Sequence, residues 1–202
     1  MKFYFSPGAC ALHPQIALRE AGLAFELVRV DTRAHKLPDG TDFYSINPKG
    51  YVPVLELDDG TRLTEGAVID QWIADQRPQS NLAPPAGTFA RIKVQEWLHF
   101  IGTEIHKQFS PLFNPATPDA FKETQRNKIS TRFDYIEKEF ATREYLIGDH
   151  FTIADGYLFN MLRWTAFTGL DLARWPRLKA FYDRIEARPT VKSAIEAEKA
   201  TH

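Results

Sequence analysis

The sequence predicts two successive domains of different class, an α/β domain and then an all-α domain, on three observations. The N-terminal part alternates short apolar strands with helical stretches. A segment between Arg77 and Thr88 carries Pro78, Pro84, Pro85 and Gly87 with little hydrophobic periodicity. Beyond it the apolar residues recur only at helical spacing. The expected boundaries are a first domain at 1–77, a linker at 78–87 and an all-helical domain at 88–202.

Each element has its own signal. Residues 2–5 form an aromatic strand broken by Pro7-Gly8, and residues 11–22 read as a helix ending at Gly22. Phe25 to Val30 is a second strand, so the opening is a βαβ unit with parallel strands. Val52 to Leu57 alternates as a strand, Asp58-Asp59-Gly60 turns, and Thr61 to Thr64 returns as a hairpin partner. Glu65 to Gln76 is helical. The order βαβ then ββα is that of a thioredoxin-like fold. In the second half, residues 88–113, 119–141, 152–168, 174–187 and 190–200 carry helical periodicity.

Composition narrows the function. Hydrophobic residues make up 44% of the 202 and aromatics 13%, too much for a disordered chain. The 25 basic residues nearly cancel the 26 acidic ones, so no global field draws the protein to nucleic acid or an anionic membrane. No apolar run approaches the ~20 residues of a membrane span, and the start lacks a secretory stretch. A cytoplasmic location is expected. Cys10 is the single cysteine, which rules out an internal disulfide, a dithiol pair or a cysteine-based zinc site. None of the six histidines forms a metal-binding pair on a helix, and phosphate-loop patterns are absent, so no metal or nucleotide is expected.

Cys10 lies in the turn joining the first strand to the first helix. Unpaired N–H groups and the macrodipole at a helix start stabilise a thiolate, whether the protein's or a ligand's. The alternative is a small buried hydrophobe. His13 stands where a dithiol oxidoreductase would carry its second cysteine, so a monothiol working with a small external thiol fits better. In Asn47-Pro48-Lys49-Gly50-Tyr51-Val52-Pro53, a cis Val52–Pro53 bond would turn the Val52 backbone toward an extended peptide, and the sequence leaves both isomers open. Glu65 and Gly66 open the next helix. The N–H groups there suit a carboxylate and Glu65 suits an ammonium, as on the γ-glutamyl end of a peptide, although a carboxylate in a first turn is also a common stabilising device.

The helix at 88–113 carries Gln95, His99, Gly102, Thr103, His106 and Ser110 on one face at three- and four-residue spacing. Such a stripe lines a cleft or faces solvent. His106, titrating near neutrality, suits positioning a water, polarising an electrophile or bonding a thiolate. Thr152 and Asp155 are spaced as a helix capping box, a folding element.

Ser-Pro-Gly-Ala-Cys at 6–10, the segment 47–53, Leu-Thr-Glu-Gly at 63–66, Glu-Ile-His-Lys at 104–107 and Phe-Thr-Ile-Ala-Asp at 151–155 together resemble bacterial beta-class glutathione S-transferases over the whole chain. The resemblance implies the glutathione transferase fold and a detoxification enzyme using glutathione as co-substrate. Its activity would be conjugation of the glutathione thiolate to small hydrophobic electrophiles, with glutathione-dependent disulfide or peroxide reduction beside it. It also implies a homodimer, with residues 1–77 binding glutathione and 88–202 contributing the electrophile site and dimer contacts.

The resemblance places Cys10 against the glutathione sulfur, the Val52 backbone beside a cis Pro53 along the tripeptide, and Glu65 and Gly66 at its γ-glutamyl end. It has His106 face the thiol, and makes His99, Thr103, Glu104 and Ile105 further glutathione contacts. Two positions depart from the family. His35 stands where a lysine that binds the glycine carboxylate is usual, with Lys36 displaced by one, and His99 stands where asparagine is usual. Phe5 and Ala11 offer no hydroxyl, which disfavours tyrosine- and serine-based mechanisms. The alternatives are a monothiol glutathione-dependent reductase, or a non-catalytic ligand-binding protein on the same fold.

Overall fold

A computed structural model describes residues 1–200. Two compact units emerge: one is Met1–Ala83 together with the segment from Arg188, the other is Pro84–Ala187.

The first unit is built on a four-stranded sheet of order β2-β1-β3-β4: β1 (Lys2–Phe5), β2 (Glu26–Arg29), β3 (Val54–Glu56) and β4 (Arg62–Thr64). β1 and β2 run parallel with Phe3 opposite Leu27, while β3 is antiparallel to both β1 and β4. That is the thioredoxin-like arrangement expected from the element order. β3 starts two residues later than expected because Pro53 has no N–H for the ladder. Phe3, Phe5, Val54 and Leu55 are buried and form the core with Leu12, Ile16 and Leu18 of α1 (Leu12–Glu20) and Ile69 and Ile73 of α2 (Gly66–Gln76).

α1 stops at Glu20 rather than at residue 22. Gly22 takes φ 64°, its N–H bonds the Arg19 carbonyl and that of Leu23 the Leu18 carbonyl, a Schellman stop.

The second unit contains α3 (Phe89–Phe100), α4 (Lys107–Phe113), α5 (Asp119–Glu139), α6 (Ile153–Arg163) and α7 (Pro176–Glu186). Burial of Ile153 to Leu162 without interruption makes α6 its central helix. The capping box at Thr152 and Asp155 is formed. The single helix expected at 88–113 is divided: Ile101–His106 forms a π-helical segment between α3 and α4. Pro111 withholds an N–H from the turn before it. Side chains serve carbonyls along the wider turn, Thr103 Oγ1 donating to His99 and Gln108 Nε2 to Thr103.

The last helix, α8 (Pro189–Ala200), is helical as expected but belongs to the first unit, whereas the sequence placed it with 88–202. Side-chain pairing across the chain ends explains the difference. The Arg188 fork grips Glu20 at 2.8 and 3.0 Å, Thr190 also donates to Glu20, and Arg19 donates to Ser193. Gln15 reaches the Ala194 carbonyl.

Candidate functional site

In the first unit, the residues singled out by sequence gather around the starts of α1 and α2. β1 delivers the chain to a tight turn in which Gly8 takes φ 76° and Ala9 N–H bonds the Ser6 carbonyl. Cys10 follows, half-buried, two residues before α1. Its Sγ lies 3.6 Å from the Val52 carbonyl, to which the thiol donates. The Val52–Pro53 bond is cis. Cys10, Val52 and Pro53, 42 residues apart in sequence, therefore form one cluster. A thiol that donates to a carbonyl is favoured in its neutral form.

Glu65 precedes α2 at φ 67° and ψ 103°, a strained conformation for a residue with a side chain. Its carbonyl accepts from both Val68 and Ile69, so the α2 ladder begins past Gly66 and Ala67, whose N–H groups lie at the helix mouth. Its carboxylate accepts from Lys49 Nζ at 2.6 Å and Tyr51 Oη at 3.0 Å. The bond to Glu65 raises the Lys49 pKa, while burial first and that bond second raise the Tyr51 hydroxyl.

Lys49 and Tyr51 are held in turn by buried Asn47, which accepts from Lys49 N–H and donates to the Tyr51 carbonyl. Both residues stand inside a motif that, read by sequence, gave neither a role. Their signal was the Asn-Pro-x-Gly turn, which brings position 49 back over position 65.

His35, at φ 52°, stacks on Tyr44 with ring centres 4.5 Å apart, and its Nδ1 is buried with no hydrogen-bond partner. The Tyr44 ring in turn lies against Gly50, where a Cβ would stand 2.6 Å from it. Residue 35 is thus tied through an aromatic ring to the loop that carries Val52. Glu198 of α8, buried, accepts from Gly8 N–H in the Cys10 turn, a contact no local sequence signal foretells.

In the second unit the expected stripe divides. His106 is half-buried, its Nδ1 2.6 Å from Tyr157 Oη and its ring edge-on to Trp164 at 5.0 Å. Both partners were missed, because they lie on and just after α6, far along the chain. His99 and Thr103 are exposed, and Glu104 is paired with Arg132 at 2.6 Å. Ile105 is fully buried. Among the described residues no cluster of three or more His, Cys, Asp or Glu side chains could hold a metal, and no helix is long and apolar enough to cross a membrane.

Comparison with known proteins agrees over the full chain. The family description "Glutathione S-transferase, N-terminal domain" matches residues 8–76 and "Glutathione S-transferase, C-terminal domain" matches residues 100–189. Glutathione S-transferase GstA of Escherichia coli O157:H7 is 44% identical over 198 residues, covering 98% of each chain. Among solved structures, the ternary complex of BphK, a bacterial transferase, superposes with a TM-score of 0.97 at 51% identity, over 98% of this chain and all of that one. The beta-class enzyme of Sphingomonas chungbukensis gives 0.96 at 44% identity over both whole chains. A sphingomonad enzyme solved with glutathione gives 0.96 at 45%, also over both whole chains.

Proposed function

The chain belongs to the beta class of the glutathione S-transferase family, an enzyme with glutathione as co-substrate, and we propose that it conjugates glutathione to small hydrophobic electrophiles. The observation that carries the assignment of residues is the juxtaposition of the Cys10 thiol with the Val52 carbonyl beside cis-Pro53.

Glutathione lies extended along Val52. Its γ-glutamyl carboxylate meets the N–H groups of Gly66 and Ala67, and its ammonium shares the Glu65 carboxylate with Lys49 and Tyr51. Its sulfur sits at Cys10 and the start of α1, where the helix dipole favours the anion. His35, fixed against Tyr44, takes the place of the family lysine toward the glycine end.

The reaction balances simply. The glutathione thiol loses its proton to solvent, and the thiolate forms a carbon–sulfur bond. With a chloronitroaromatic, chloride leaves with the electron pair of the bond it held. Each pKa step taken off the thiol needs ~1.4 kcal/mol of stabilisation, so a few aimed donors suffice. The nucleophile is the sulfur of glutathione, and Cys10 is its neighbour. In the second unit, His106 Nδ1 and Tyr157 Oη share a hydrogen bond of 2.6 Å that fixes the orientation of the ring. The protein works as a homodimer in the cytoplasm.

The test is retention on immobilised glutathione followed by conjugation of a chloronitroaromatic by the parent, Cys10→Ala, Glu65→Gln and His106→Ala proteins. Glu65→Gln is expected to raise the glutathione KM about fivefold to thirtyfold, the ~1–2 kcal/mol of a charge-assisted bond. Parent-like kinetics in all three variants would overturn the residue assignments. The half-buried Cys10 supports a second activity: its thiol loses a proton to solvent, the thiolate attacks one sulfur of oxidised glutathione to form a mixed disulfide, and the other half leaves as a glutathione thiolate. Mass spectrometry of the protein after exposure to oxidised glutathione reads that adduct directly.

A further inference from the structure

Beneath the two helix starts lies a buried polar pair with no part in the chemistry above. His13 stands in the first turn of α1, three residues after Cys10, and Asp70 one turn into α2, four residues after Gly66. Their side chains are 2% and 0% exposed, and His13 Nδ1 lies 2.6 Å from Asp70 Oδ2. The other carboxylate oxygen, Oδ1, is buried with no hydrogen-bond partner, and burial raises the Asp70 pKa against the opposing pull of His13.

The opposite edge of the imidazole meets Gly66. A Cβ at that position would lie 2.7 Å from both Cε1 and Nε2 of His13, closer than any such contact tolerates. Gly66 and Asp70 share one face of α2 at i, i+4 spacing, so the ring is clamped at one end by Asp70 and fills the space of the missing side chain at the other.

A buried ion pair is poor evidence of stability, since desolvation offsets its attraction and apolar replacements are often neutral or stabilising. What the pair does achieve is a fixed spacing. The ring is a rigid wedge between the turn that carries Cys10 and the turn that carries Gly66.

We propose that His13, held by Asp70, is a positioning residue for glutathione, setting the distance between the sulfur-holding turn at Cys10 and the γ-glutamyl-holding turn at Gly66. The inference rests on the placement of glutathione given under Proposed function. A tripeptide held by its γ-glutamyl group and by its sulfur reads that distance directly. A shift of the wedge therefore weakens glutathione binding and leaves the bound thiolate as reactive as before.

The experiment measures glutathione KM, kcat and thermal midpoint for Asp70→Asn, the double variant His13→Leu/Asp70→Leu, and Glu65→Gln. Asparagine keeps the shape of aspartate and bonds His13 in either tautomer, so Asp70→Asn should hold the glutathione KM within about twofold of the parent. The double variant fills the space with apolar groups. Its midpoint is expected at or above the parental one, its glutathione KM about tenfold higher and its kcat within about twofold. A role in stability alone would leave KM parental once the midpoint is restored, and that result overturns the proposal, as does a fall in kcat at parental KM.

Should the double variant not fold, Gly66→Ala forces a methyl to 2.7 Å from the ring and should raise the glutathione KM about tenfold with kcat within about twofold; a parental KM overturns the proposal too. Glu65→Gln separates the two levels. If it raises KM and the double variant does not, the wedge alone is wrong. If Glu65→Gln leaves KM unchanged, the placement of glutathione is wrong and the wedge falls with it.

Discussion

Replacing Asp155 by asparagine should change how stability depends on pH, by an amount the structure specifies. The Asp155 carboxyl is fully buried and accepts three bonds of 2.8 Å, from Leu146 N–H, Thr152 N–H and the Thr152 hydroxyl. Burial outweighs those donors and pushes its pKa up from the ordinary 3.8 to about 6. Between those two values the folded protein holds a proton that the unfolded chain has released. The unfolded state thus binds fewer protons, and stability falls as pH rises.

The slope is about 1.4 kcal/mol per pH unit, so roughly 3 kcal/mol present below pH 4 is lost once pH passes 6. The asparagine side chain has no such proton. Its amide instead turns an N–H toward one of the three donors, a constant cost of about 1–3 kcal/mol. The assay is urea denaturation of both proteins from pH 4 to pH 7, reading the difference in unfolding free energy, in which other titrating groups cancel. The parent's advantage over Asp155→Asn should shrink by about 3 kcal/mol across that range. A flat difference would show that the carboxyl is not perturbed, and an advantage growing with pH would show that the three donors win over burial.

Three further outcomes are expected. Cys10→Ala should lower conjugation by less than about tenfold, since a thiol is a weak donor, while abolishing the glutathione adduct seen by mass spectrometry; a thousandfold loss of conjugation would make Cys10 itself indispensable to the chemistry. Tyr157→Phe removes the hydroxyl bonded to His106 Nδ1 and should reduce kcat about fivefold, the worth of ~1 kcal/mol, with the glutathione KM little changed; an unaltered kcat would count against a role for His106 in turnover. Arg188→Ala strips the fork from Glu20 and, the pair being partly exposed, should cost about 1 kcal/mol in urea denaturation with kcat intact.

What the sequence disclosed and what it withheld follow from where each signal resides. The sheet was legible because its strands, turns and breakers are local: Asp58-Asp59-Gly60 specifies its hairpin whatever else the chain does. Short motifs placed Cys10, Val52, Pro53, Glu65 and Gly66 for the same reason, each sitting at the start of an element whose first residues are marked by Pro or Gly. The π-helical segment at Ile101–His106 left no such mark, since periodicity alone reads it as unbroken helix. Partners from distant elements were invisible: Tyr157 for His106, Glu198 for the Cys10 turn, and Asp70 for His13. His13 is the instructive case. Read along the chain it marked only the lack of a second cysteine, and its neighbours Gly66 and Asp70 give it a meaning that spacing could not.

The bond from Cys10 to the Val52 carbonyl bears on why a transferase would keep a cysteine at this position at all. The Cys10 sulfur lies 3.6 Å from the Val52 carbonyl, on the stretch of backbone proposed above to pair with the tripeptide. On the function proposed above, glutathione would bring its own sulfur to the start of α1, where the helix dipole favours the anion. A reduced ligand offers the Cys10 sulfur no disulfide to attack, whereas an oxidised ligand does, and the attacking species is then the Cys10 thiolate. On that reading the redox state of the incoming ligand selects between conjugation and mixed-disulfide exchange, and a Cys10→Ala protein that keeps conjugation while losing the glutathione adduct is the result that bears it out.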